Sequence, residues 1–157
     1  MDFLAWLEST ALATAVAETL WAYPLLETLH ALGMAMLLGA LGLINLRVLG
    51  YKPELPLVGT QDLLPLAWTG FTLNAASGAA LFTSDAIHFF SSYTFRIKLL
   101  LIVLGGLNAA LVGRRVFHEP LVDPAIEAGT GTKALAAASL VFWIGAAAAG
   151  RLIAYAP

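Results

Sequence analysis

The sequence predicts an all-α integral membrane protein: a four-helix bundle, preceded by a short N-terminal interfacial helix. Three observations predict it. Hydrophobic residues make up 60% of the 157 and charged residues only 11%, against about 25% charged in an ordinary soluble domain. The mean hydropathy is +0.84. Four uncharged apolar runs stand out, Thr28–Leu46, Leu63–Ser84, Leu99–Gly113 and Ala134–Gly150. They reach the roughly 20 residues of a membrane helix once flanking basic side chains are allowed to snorkel. None alternates as a barrel strand would. The length is that of one domain, 1–157.

The same composition excludes several classes. A soluble enzyme of this size could not cover its surface with 18 charges, and a nucleic-acid binder would need a basic stripe where this chain has a net charge of −2. The absence of Cys excludes a disulfide scaffold and a thiolate metal site. No nucleophile–base–orienter arrangement is visible, so a redox or binding protein is a better reading than a hydrolase.

Taken in order, the N-terminus carries Asp2 and Glu8 and no basic residue before Arg47, unlike a secretory signal. Asp2 is placed to cap a short helix whose apolar face is Phe3, Leu4, Trp6 and Leu7. That helix lies on the membrane surface or is the start of the first span. The spans are expected at about 20–48, 63–84, 95–117 and 133–155, paired as two hairpins. Gly50, Pro53, Pro56 and Gly59 make the first loop and Ser84 to Tyr93 the second. Glu119-Pro120, Asp123-Pro124 and Gly129-Thr130-Gly131 mark the third, with Thr132 as N-cap of the last helix. The stretch Gly129–Lys133 lacks the spacing of a phosphate loop. Arg47, Lys52, Arg114, Arg115 and Lys133 lie opposite the termini; Arg96, Lys98 and Arg151 lie on the terminal side. That asymmetry puts both termini outside, which for a bacterial inner membrane is the periplasm.

This topology gathers nearly all ionisable groups in the outer half. Charges at depth are costly and are expected to face the bundle interior and pair. Glu27 and His30 share a helix face, with Met34 one turn further. The Glu-x-x-His pattern occurs once, whereas a di-iron bundle needs it twice with two more carboxylates. His88 follows in the outer loop, and Arg96, Lys98 and Arg151 reach the same level from two other helices. Ala31, Gly33, Ala35, Gly39 and Gly42 offer small residues for close helix packing or for a flat ligand. His30 is open to three readings: a core residue satisfied by Glu27 or a backbone carbonyl, a cofactor or metal ligand, or a proton relay. His118, beside Glu119, reads as a solvated loop residue. Asn74 and Asn108 read as interhelical hydrogen-bond glue.

The stretches Pro24-Leu25-Leu26-Glu27-Thr28-Leu29-His30-Ala31-Leu32-Gly33 and Asn45-Leu46-Arg47-Val48-Leu49-Gly50, with Phe95-Arg96-Ile97-Lys98 and Leu107-Asn108-Ala109, resemble a functionally uncharacterised family of small four-span bacterial membrane proteins. That family is distantly similar to the copper-resistance D-type membrane proteins. Asn45 stands where the family pattern has Asp, and Val112 and Gly113 stand where it has His. The resemblance implies that Glu27, His30, Arg96 and Lys98 are the residues to watch.

Three functions are compatible with these residues. The first is a b-type haem electron-transfer protein. His30 would be the axial ligand, Glu27 the acceptor of its Nδ1–H, and Arg96, Lys98 and Arg151 the propionate partners, with Met34 and His88 close by. The second is a transporter-like protein binding copper or zinc, or handling protons, at His30. The third is a non-catalytic membrane subunit. The expected partners are the lipid bilayer, a second copy in a homo-oligomer, and a redox partner or quinone; nucleic acid is excluded.

Overall fold

A computed structural model describes residues 2–118, 128–153 and 155, and all the regular secondary structure among them is helical. Two short helices, α1 (Asp2–Glu8) and α2 (Ala11–Glu18), precede the long helix α3 (Ala22–Val48). A 3-10 turn (Val58–Leu63) leads into α4 (Leu64–Thr83), and α5 (Ala86–Ser91) into α6 (Tyr93–Gly113). A π turn (Arg114–His118) extends α6, and α7 (Thr130–Leu152) closes the described chain. The third-loop markers Glu119-Pro120 and Asp123-Pro124 lie outside the described residues, as does the side chain of His118.

Local chemistry explains the boundaries. Pro24 and Pro65 sit in the first turns of α3 and α4, where the missing N–H has no helical partner to lose. Thr10 caps α2 by accepting from Ala13 N, and Ser92 caps α6 by accepting from Phe95 N. The expected N-cap Thr132 is instead inside α7, whose N-cap is Gly129. Helix α1 is separate from α3, so it is not the start of the first span. It buries none of its own residues. Glu8 Oε1 accepts from Ile87 N at 2.8 Å, supplying a cap that Asp85 does not provide for α5.

Four long helices pack side by side. The antiparallel pairs α3–α4 and α6–α7 are the two expected hairpins, and α3 also lies along α7. At one end, Phe82 of α4 stacks on Phe95 of α6 at 5.4 Å between centroids, with Phe89 of α5 against both. At the other end, Val48, Leu57, Val112, Val116 and Ala136 form a core cluster. Midway, Trp143 of α7 packs with Leu37, Ala40 and Ala67. Asn45 Nδ2 donates to Ser139 Oγ at 3.0 Å across the buried α3–α7 contact. Asn108 does not act as expected: it is buried, and among the described residues its Oδ1 has no hydrogen-bond partner, nor has Trp143 Nε1.

Among the described residues, three helices are long and apolar enough to cross a membrane: Ala22–Val48, Tyr93–Phe117 and Thr130–Leu152. No more than 28% of their most apolar windows is buried within the chain, so most of that apolar surface faces outward, as a lipid-facing helix requires. Helix α4 has the length, 20 residues, but Asn74, Ser77, Thr69, Thr72 and Thr83 dilute its apolar content and it is not among the three.

The α3–α4 seam is a backbone-to-backbone contact. A Cβ built on Gly33 would fall 2.6 Å from Asn74 N, and one on Gly70 would fall 2.6 Å from Leu37 N. Backbones meet at these points, and no side chain larger than hydrogen fits without separating the helices. Gly106, by contrast, has nothing within 4 Å of an added Cβ. Gly70→Ala is therefore expected to destabilise the protein by about 1–3 kcal/mol, and Gly106→Ala to leave stability unchanged. Unfolding in mixed detergent micelles measures both.

Candidate functional site

The seam of α3 and α4 positions His30. Its Nδ1 lies 2.9 Å from the carbonyl oxygen of Asn74 and 3.3 Å from Ser77 Oγ. The Ser77 hydroxyl donates to the Leu73 carbonyl at 2.6 Å, so both oxygens near His30 are acceptors. This assigns the proton to Nδ1 and leaves the Nε2 lone pair free. In return, Asn74 Nδ2 donates to the His30 carbonyl at 2.8 Å. The imidazole lies flat on Gly78, where an added Cβ would be 2.8 Å from Cε1. No hydrogen bond to Nε2 forms among the described residues.

The expected site residues divide sharply. His30 and Met34 are half-buried, and Lys98 of α6 is half-buried too. Lys98 lays its side chain across Gly150 of α7, its Nζ 3.2 Å from where a Cβ would stand, and it acts electrostatically on His30. Glu27 is exposed; its electrostatic neighbour is Tyr23, which also feels Asp85. Glu27 therefore neither faces the interior nor holds the imidazole. The Asn74 carbonyl takes that role because the glycine-lined contact brings the α4 backbone within hydrogen-bonding distance.

Arg96 is exposed and turned back on its own helix start, donating from Nε to the Phe90 carbonyl at 3.0 Å with its guanidinium over the Phe90 ring. Arg151 is exposed with its guanidinium over Tyr155. The expected convergence of three cations thus reduces to one, Lys98. His88 is exposed on α5, edge-on to Phe89. The small residues do not form a slot: Gly33 is consumed in the helix contact, while Ala31, Ala35 and Gly39 are exposed.

No family model, curated protein or solved structure matches this chain. The functional reading therefore rests on its own residues. No group of three His, Cys, Asp or Glu side chains gathers among the described residues. What the site offers is one imidazole in a fixed tautomer, one nearby ammonium and an apolar surround.

Sequence reasoning missed two participants. Gly78 sits four residues after Asn74, one helical turn along the same face, and its need for a bare Cα shows only when His30 lies against it. Arg47 counts in the sequence only as a charge opposite the termini, yet it is buried, donating to the carbonyls of Leu55 and Pro53. Asn74→Ala removes the bond to the His30 carbonyl but keeps the backbone acceptor for Nδ1, and is expected to cost about 0.6–1.7 kcal/mol. Gly78→Ala, which displaces the imidazole, is expected to cost about 1–3 kcal/mol. Detergent-unfolding curves measure both, and an unperturbed Gly78→Ala would contradict the packing described.

Proposed function

We propose that the chain is a four-span integral membrane protein that holds b-type haem through His30 for electron transfer. Helix α4 is the fourth span, with Asn74 and Ser77 turned to the α3 seam. The Lys and Arg asymmetry then directs both termini to the periplasmic side of a bacterial inner membrane.

The observation that carries this reading is the His30 ring. Its Nδ1–H is committed to the Asn74 carbonyl at 2.9 Å, a bond that ligating histidines typically make, which orients the ring and raises the basicity of Nε2. Donor count favours haem over bare copper or zinc. Those ions take three or four protein donors, and none gather here among the described residues. Haem brings its own ring nitrogens and asks the protein for an axial ligand. Lys98 is the residue to pair with a propionate. His30 would be the ligand this chain supplies to the iron, and Met34 lies one turn further along the same helix. Bound haem would provide a one-electron centre within the membrane, exchanging with a redox partner or quinone.

A second reading is favoured by the reciprocal bond from Asn74 Nδ2 to the His30 carbonyl. It makes His30 part of a helix clamp in a non-catalytic membrane subunit.

Two measurements test the proposal. Protein purified after full haem supply is expected to show a Soret band. That band should be lost in His30→Ala, weakened in Lys98→Gln and unchanged in Arg151→Ala; colourless wild-type protein would leave the clamp reading. For topology, the absence of native Cys lets single cysteines be labelled cleanly. A cysteine at position 54 is expected to label only from the cytoplasmic face, and labelling only from the periplasmic face would invert the orientation.

A further inference from the structure

We infer that the Arg47 end of α3 binds an anionic phospholipid, with its phosphate on Arg47 and Lys52 and its acyl chains along a leucine wall. This rests on α3 crossing the bilayer, as proposed above, and is independent of haem.

A groove of about 580 Å³ opens where α3 runs into the first loop and the 3-10 turn. That volume is in the range of small-molecule sites, about 300–1,000 Å³. Leu43, Leu55 and Leu63 line it together with Arg47, Tyr51 and Lys52. Neither Glu54 nor Asp62, the nearby carboxylates in sequence, lines it.

Arg47 is only 8% exposed. Its Nε donates to the Leu55 carbonyl and its Nη2 to the Pro53 carbonyl at 2.9 Å. Both partners are neutral, and Nη1 has no hydrogen-bond partner among the described residues. A guanidinium this deep is costly without an anion, and its free donors match phosphate oxygens. The loop presents the second cation by an unusual route: Gly50 at φ +104° and Lys52 at φ +51° turn the chain back over the groove.

Depth selects the source of the phosphate. Helix α3 has 27 residues and so spans about 40 Å, longer than a hydrocarbon core of about 30 Å. Its Arg47 end therefore reaches the headgroup layer, where basic pockets hold anionic lipid. The leucine wall suits acyl chains and offers nothing to a free phosphate.

The test is native mass spectrometry of the full-length protein released from detergent, after incubation with phosphatidylglycerol or phosphatidylcholine of matched chains. Arg47 also holds the loop, so the variants are Lys52→Asn, whose new residue tolerates positive φ, and Leu43→Trp, which fills the groove. Wild-type protein is expected to retain phosphatidylglycerol preferentially. Lys52→Asn should lower that retention about fivefold, Leu43→Trp should abolish it, and excess inorganic phosphate should not compete. Equal retention of the two lipids, wild-type retention by both variants, or displacement by inorganic phosphate would overturn the inference. Carbonate extraction of the native membranes is run alongside. Release of the protein there would defeat the membrane reading itself, whereas retention without lipid preference would defeat only the lipid site.

Discussion

The close approach of α3 and α4 at Gly33 and Gly70 is the constraint on which the rest of the structure depends. In a bilayer, apolar side chains gain nothing by leaving lipid for one another, so helices associate through backbone proximity and interhelical hydrogen bonds. Here both occur along one seam. An added Cβ at either glycine would collide with backbone at 2.6 Å. One turn away from the Gly33 contact, His30 and Asn74 exchange two hydrogen bonds between side chain and backbone. The exchange requires that approach, because a side chain at Gly33 would move the Asn74 backbone out of reach. The imidazole tautomer follows from helix spacing.

The same logic separates what could be read in the sequence from what could not. Uncharged apolar runs announce three membrane-competent helices and the long α4, because hydrophobic length is a local property. The α3 and α4 boundaries fall within two residues of expectation, since Pro24, Gly50 and Pro65 punctuate the chain locally. His30 was legible as unusual, being a titratable group at depth. Its partner was not, because the Asn74 carbonyl is a backbone atom present at every residue and only a three-dimensional contact selects it. Glu27 shared a helix face with His30 by spacing, but spacing within one helix does not say which arc of the surface the next helix covers. For Arg96 and Arg151, an aromatic ring beside each captures its guanidinium, a rotamer-scale event invisible to charge counting.

Arg47 shows the reverse case. Positive-inside reasoning treats it as a solvated loop charge, while the structure buries it against two loop carbonyls. The turn made by Gly50 and Lys52 folds the loop over it, so this cation shapes the chain locally. The two polar features of the protein thus sit at different levels: an uncharged donor–acceptor exchange at His30 within the seam, and a buried cation near the far end of α3. The first depends on glycine contact and the second on loop closure, which makes them separable by mutation.

The most direct measurement of the central claim is solid-state NMR of the full-length protein in bilayers, with ¹⁵N-labelled histidine and ¹³C-carbonyl-labelled asparagine. A protonated Nδ1 with a dipolar contact from His30 to the Asn74 carbonyl carbon is the expected result. A protonated Nε2, or an Nδ1 with no contact to Asn74, would contradict the seam as the element that fixes His30.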